Sequence, residues 1–172
     1  TGVYRPTAGD IVFDGRSTEI EVLEGRIEKV EQSEAREIGL RVFCGKSSAI
    51  LSGSVLTTDA LTRLAEKAVA MARLAPPDPF AGIADAEQIA TTFPDLDLIS
   101  DYLPKAEELE RMACDAEAAA FAVQGVRQSG GAGASVSDRS IALVISNGFA
   151  RGYRRTGMGV SVSAIAGEGT GM

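Results

Sequence analysis

The sequence predicts an α+β fold, a mostly antiparallel sheet with two main helices packed on it. Three observations carry that reading. Apolar and charged residues alternate in short runs near both ends of the chain. Two internal stretches repeat apolar residues at helical spacing. Gly-containing pairs punctuate the alternating runs where tight turns are needed.

The first strands fall within 10–52. From Ser17 to Leu23, Ile20 and Val22 share one face while Glu19 and Glu21 share the other. Glu24-Gly25 offers a two-residue turn, and Arg26 to Gln32 returns with Ile27 and Val30. A further run, Ile38 to Cys44, aligns Ile38, Leu40 and Val42. Gly45-Lys46 then turns the chain into Ser47–Ser52. Four strands joined by tight turns describe an antiparallel meander.

A helix is expected over 58–75. Thr57 or Thr58 can cap it, and Asp59 suits its first turn. Leu61, Leu64, Ala65, Ala68, Met71 and Ala72 form its apolar stripe. Pro76-Pro77 ends it. Residues 76–103, rich in Pro and Asp, read as a long crossing with one helical turn near Asp85–Ala90. A second helix is expected over 104–123, with Pro104 at its first position. Leu109, Met112, Ala113, Ala116, Ala120 and Val123 would face inward. Glu107, Glu108, Glu110, Asp115 and Glu117 would stay in water.

Strands resume over 126–166. Ser135-Val136 would lead to a turn at Asp138-Arg139, and Ile141–Ile145 reads as a strand buried on both faces. Asn147-Gly148 is the strongest hairpin signal. Phe149–Arg155 returns, and Val160–Ile165 alternates. Residues 1–166 thus form one α+β domain. Residues 167–172, with three glycines, read as the start of a linker to a further C-terminal domain.

Composition narrows the chemistry. The 172 residues include no histidine and two cysteines, Cys44 and Cys114. Ser-His-Asp, Cys-His and His-based zinc sites therefore cannot be built from this sequence. Two distant cysteines read as small apolar residues rather than a disulfide framework. No apolar run is long enough for a membrane span, and no signal-peptide pattern opens the chain, so a cytoplasmic protein is expected. The net charge of −7 argues against general nucleic-acid binding. The charge is uneven. Residues 124–172 carry Arg127, Arg139, Arg151, Arg154 and Arg155 against Asp138 and Glu168. That uneven placement could steer a partner or an acidic substrate segment toward the C-terminal part, although ordinary solvated surface is the simpler reading.

Several motifs draw the eye. Gly45-Lys46-Ser47 resembles the end of a phosphate-binding loop, but Leu40 stands where the first glycine belongs and a strand follows. Ser129-Gly130-Gly131-Ala132-Gly133 has Val136 in place of a third glycine and reads as a bulge or loop. Asp95 and Asp97 would share a face of an extended segment, as a carboxylate-based hydrolase would need. Arg154-Arg155 beside Tyr153 could grip a carboxylate or phosphate, although a strand would point them to opposite sides. Surface charge is the simpler reading of both pairs.

Three segments resemble the N-terminal region of the TldD/PmbA family, the so-called modulators of DNA gyrase. They are EVLEGRIEKVEQSEAREIGLRVFCGK (21–46), LTRLAEKAVAMARLAPPDPFAGIAD (61–85) and LVISNGFARGYRRTGMGVSVSAIAGEG (143–169). The detail is more similar to the PmbA (TldE) branch. The resemblance implies a cytoplasmic subunit about two and a half times as long, with an N-terminal α+β domain and a β-rich C-terminal domain. TldD-type subunits carry a zinc-protease HExxxH helix. PmbA-type subunits pair with them, without that motif, in a heterodimeric peptidase that cleaves peptides of little structure. No residue here matches the motif, so no catalytic, cofactor-binding or metal position is assigned and zinc is expected only in the partner. The family usually opens with an amphipathic helix that TGVYRPTAGD cannot supply. The chain is therefore expected to be a fragment that carries out no reaction alone. It would serve assembly with a TldD-like subunit and shape the peptide channel, with self-association as a further possibility. A DNA- or gyrase-interaction module is the alternative reading, resting on the C-terminal arginines.

Overall fold

A computed structural model describes residues 7–167, with side chains described from Val12 onward except Ala86. The strands are β1 (Thr7–Leu23), β2 (Arg26–Cys44), β3 (Ser47–Gly53), β4 (Val126–Ile145) and β5 (Ala150–Ala166). The helices are α1 (Thr58–Leu74) and α2 (Ala106–Phe121), with a 3₁₀ turn at Ala86–Gln88. The strands form one five-stranded antiparallel sheet in the order β3-β2-β1-β4-β5. The expected fold class is thus the observed one. The chain divides into two compact units. The α1 unit holds the residues up to Asp14, Ala35–Leu96 and Ser140–Arg154. The α2 unit holds Gly15–Glu34, Asp97–Arg139 and those from Arg155 on.

Turn chemistry sets the hairpins. Glu24 and Gly25 both take positive φ, 53° and 70°, the type I′ pattern that matches strand twist. Gly45 at φ 64° leads a two-residue turn, and β2 pairs with β3 from Cys44↔Ser47 to Ile38↔Gly53. At β4–β5 a Gly148 N–H to Ile145 O bond of 3.0 Å closes a turn, and Gly148 sits at φ 96°. This is the three-residue loop in which only glycine fits the last position comfortably.

In the α1 unit the Thr57 hydroxyl caps α1 by accepting from the Ala60 N–H, 3.4 Å. Ala68 and Ala72 then bury against Leu40 and Val42, flanked by Leu64, Ala65 and Val69. Small residues allow the helix to lie close to the strand. In the α2 unit Leu109 and Ala113 pack on Ile20, Val22, Ala132 and Ala134.

Several expectations need correction. Four early strands are three, because 26–44 runs unbroken through EQSEARE. There is no turn at Asp138-Arg139, and β4 continues through both. The runs 149–155 and 160–165 belong to one strand, β5. A polar residue does not end a strand whose backbone runs beside a neighbouring strand of the sheet. Ile141–Ile145 is not buried on both faces, since Val144 is 44% exposed. Helix α2 begins at Ala106, with Lys105 as N-cap and the Glu108 carboxylate accepting from the Lys105 N–H. Pro104 therefore precedes the helix, and Ala122 and Val123 lie beyond its end. Met71 is exposed, and Val69 takes its place beside the core. Glu117, expected in water, is buried. Residues 168–172 of the expected linker lie outside the described residues.

Gly152 on β5 lies tight against β4. A Cβ there would sit 2.9 Å from the Ile141 carbonyl oxygen. Gly152→Ala is expected to cost about 1–2 kcal/mol through local displacement of the strands. Urea unfolding of the variant beside the parent protein measures it, and an unchanged midpoint would show that the strands part freely here.

Candidate functional site

The face of β2 opposite α1 lines a pocket of about 350 Å³ in the α1 unit. The one-residue alternation of a strand explains this division. Leu40 and Val42 point to the helix, and Gly39, Arg41 and Phe43 point away. Ile50, the partner of Arg41 across the β2–β3 ladder, adds a wall. Gly82, Ile83 and Ala84 close one side, and Leu143 and Ile145 of β4 another. The lining is overwhelmingly apolar. Its charged group is the Arg41 guanidinium, stacked 4.7 Å from the centre of the Phe43 ring.

The loop wall is fastened at two points. Lys46 Nζ donates to the Ala81 carbonyl at 3.1 Å, and the Asp78 N–H donates to Lys46 O at 2.9 Å. Asn147 Nδ2 reaches Ala84 O at 3.5 Å. Lys46 thus serves the loop 78–81, and its sequence context as a phosphate-loop lysine is replaced by a turn into β3. Such a pocket can receive one apolar side chain and offer one cation at its edge.

The α2 unit holds a buried carboxylate. Glu117 is 2% exposed. It accepts from the Glu24 N–H at 3.1 Å, from the Gly25 N–H at 2.7 Å and from the Ser129 hydroxyl. The Ser129 oxygen in turn accepts from the Gly131 N–H at 2.9 Å. The hydrogen bond from Ser129 leads the forces that hold the carboxyl below its ordinary range, and those from Gly25 and Glu24 reinforce it against burial. The Ser129–Gly133 run is therefore part of β4, with Gly131 at φ 98° and the Ser129 hydroxyl serving Glu117. All four donors, the Glu24, Gly25 and Gly131 N–H groups and the Ser129 hydroxyl, are used internally, so this is a structural clasp. Its spacing was legible: Leu109, Ala113 and Glu117 recur every four residues on one helix face.

The remaining candidates do not converge. Asp97 takes φ 49°, which breaks the extended segment that would have aligned it with Asp95. Arg154 and Arg155 are exposed on β5. Arg151 lies 4.9 Å from the Phe93 ring centre and donates to its neighbour's carbonyl, Ala150 O. Cys44 and Cys114 are free thiols, both half-buried, and burial foremost pushes the Cys114 thiol up. Among the described residues no group of three or more Cys, Asp or Glu side chains could hold a metal ion. With no histidine in the sequence, the residues present do not fit a zinc site. No helix among the described residues is long and apolar enough to cross a membrane.

Two family models match the chain in tandem. The PmbA/TldA metallopeptidase domain 1 covers residues 11–72, and the PmbA/TldA metallopeptidase central domain covers 99–172. The chain belongs to the PmbA/TldE family. It is 32% identical over 146 residues to the metalloprotease PmbA of Escherichia coli O157:H7, which spans 84% of this chain and 32% of that protein. The PmbA homologue of Haemophilus influenzae is 29% identical over 143 residues, 82% of this chain and 32% of its own. Among solved structures, a putative modulator of DNA gyrase from Bacteroides thetaiotaomicron superposes with a TM-score of 0.82 at 18% identity. It covers 95% of this chain and 38% of its own. TldE from Thermococcus kodakarensis gives 0.73 at 14% identity, with 95% and 37% covered. These two likenesses concern the fold. The chain spans about a third of the length of the PmbA relatives it matches.

Proposed function

We propose that this chain is the N-terminal part of a cytoplasmic PmbA/TldE-type subunit that supplies no catalytic residue. It assembles with a zinc-bearing TldD-type subunit as a heterodimer and shapes the path by which an unstructured peptide reaches the metal. The observation that carries this reading is the pair of tandem family matches in a chain of 172 residues without one histidine. The pocket over β2 supports it. A peptide of little structure presents apolar side chains one at a time, and an apolar recess of about 350 Å³ accommodates one such group. Arg41 at its edge favours an acidic group next to that side chain.

The test uses the full-length polypeptide that contains this chain, alone and with its TldD-type partner. Hydrolysis of an unstructured peptide and bound zinc are measured in each sample. Activity and one zinc per partner subunit are expected only in the mixture. Chelator-sensitive hydrolysis by the isolated polypeptide would overturn the reading.

A further inference from the structure

We infer that the turn Asp78–Ala81 is a rigid docking knob whose Phe80 side chain inserts into an apolar socket with a basic rim on the TldD-type partner. The inference rests on the assembly proposed above and assigns its surface.

Phe80 is 94% exposed, and Leu74, at the end of α1, is 88% exposed. A single exposed apolar group is ordinary on a protein surface. What sets Phe80 apart is that the backbone beneath it is fastened. The Ala81 N–H donates to Asp78 O at 3.0 Å, and the Phe80 N–H donates to Asp78 Oδ1 at 2.9 Å. Both ends are tied to the β2–β3 turn, through Asp78 N–H to Lys46 O and through Lys46 Nζ to Ala81 O. Ala81, directly after Phe80, is buried. Pro76, Pro77 and Pro79 narrow the backbone further. The backbone that presents the aromatic ring is thus already ordered, which lowers the entropy cost of using that ring as a binding anchor.

Charge decides between occupants. Residues 74–96 hold Asp78, Asp85, Glu87 and Asp95 and no lysine or arginine. Two copies meeting through this segment would bring the same acidic stretch face to face, which opposes a symmetric contact. A socket with lysines or arginines around it would gain from the same charges.

The experiment uses the full-length subunit and its TldD-type partner. Phe80→Ser is expected to weaken their association about tenfold or more, read by titration calorimetry. Glu87→Lys is expected to slow association and to reduce its dependence on salt. The thermal midpoint of the unmixed Phe80→Ser subunit should equal that of the parent. Wild-type association without any effect of Phe80→Ser would overturn the knob while leaving the assembly intact. A lowered midpoint of the unmixed variant would also overturn it, because Phe80 would then pack on its own polypeptide. Absence of wild-type association would instead overturn the assembly itself. Self-association that Phe80→Ser abolishes would show a second copy as the occupant and overturn the assignment.

Discussion

Leu109→Ala is expected to lower the unfolding free energy of the α2 unit by about 3 kcal/mol. Leu109 is fully buried, and it packs with Ile20, Val22, Ala113, Ala132 and Ala134. Three of those five neighbours are alanines, with no side chain able to swing into the vacated volume. The cavity should therefore persist, and both the lost transfer energy and the cavity penalty apply. For a chain of this size the thermal midpoint should fall by roughly 10 °C. Leu74→Ala serves as the control, because at 88% exposure it should change stability by no more than about 0.5 kcal/mol. Urea unfolding with an unchanged slope checks both. A shift at Leu109 as small as that at Leu74 would mean that the cluster is not closed in solution.

Glu117→Gln carries the second large effect, a loss of about 2 kcal/mol near neutral pH. The carboxylate accepts two backbone N–H groups of the β1–β2 turn and the Ser129 hydroxyl. An amide keeps one acceptor oxygen and turns an NH₂ toward groups that themselves donate, so one or more is left unpaired. The pH dependence has a definite sign. The folded carboxyl titrates below its ordinary value of 4.5. Its contribution is therefore complete above that value and is lost as pH falls through the lower folded one. The gap between parent and variant should be constant from about pH 6 to 8 and should close as the solution is acidified below about pH 4. Unfolding of both proteins across that range measures it. A gap that widened toward acid would show that Glu117 is protonated in the folded chain.

The two helices, the three hairpin turns and the α+β class could be read from residues close together in the chain. Glu24-Gly25, Gly45-Lys46 and Asn147-Gly148 announce their turns because glycine's freedom at positive φ is a local property. The stripe Leu64, Ala65, Ala68 and Ala72 announces α1 for the same reason. Strand continuity was less legible. EQSEARE within β2 and Asp138-Arg139 within β4 look like interruptions, yet both stay extended. Each runs beside a neighbouring strand of the sheet, a tertiary support that short-range pattern does not reveal.

The candidate sites divide in the same way. Absence of histidine, and with it of the commonest acid–base and metal-binding side chain, is complete in the amino-acid string. The clasp at Glu117 and the pocket over Arg41 and Phe43 exist only once the chain has folded. Glu117 lies 93 residues from Glu24 and 12 from Ser129. Composition and spacing establish which side chains are available and which ones share a face. Whether a charged residue on that face meets water or a set of donors depends on segments remote in sequence, and burial is acceptable only where such donors converge.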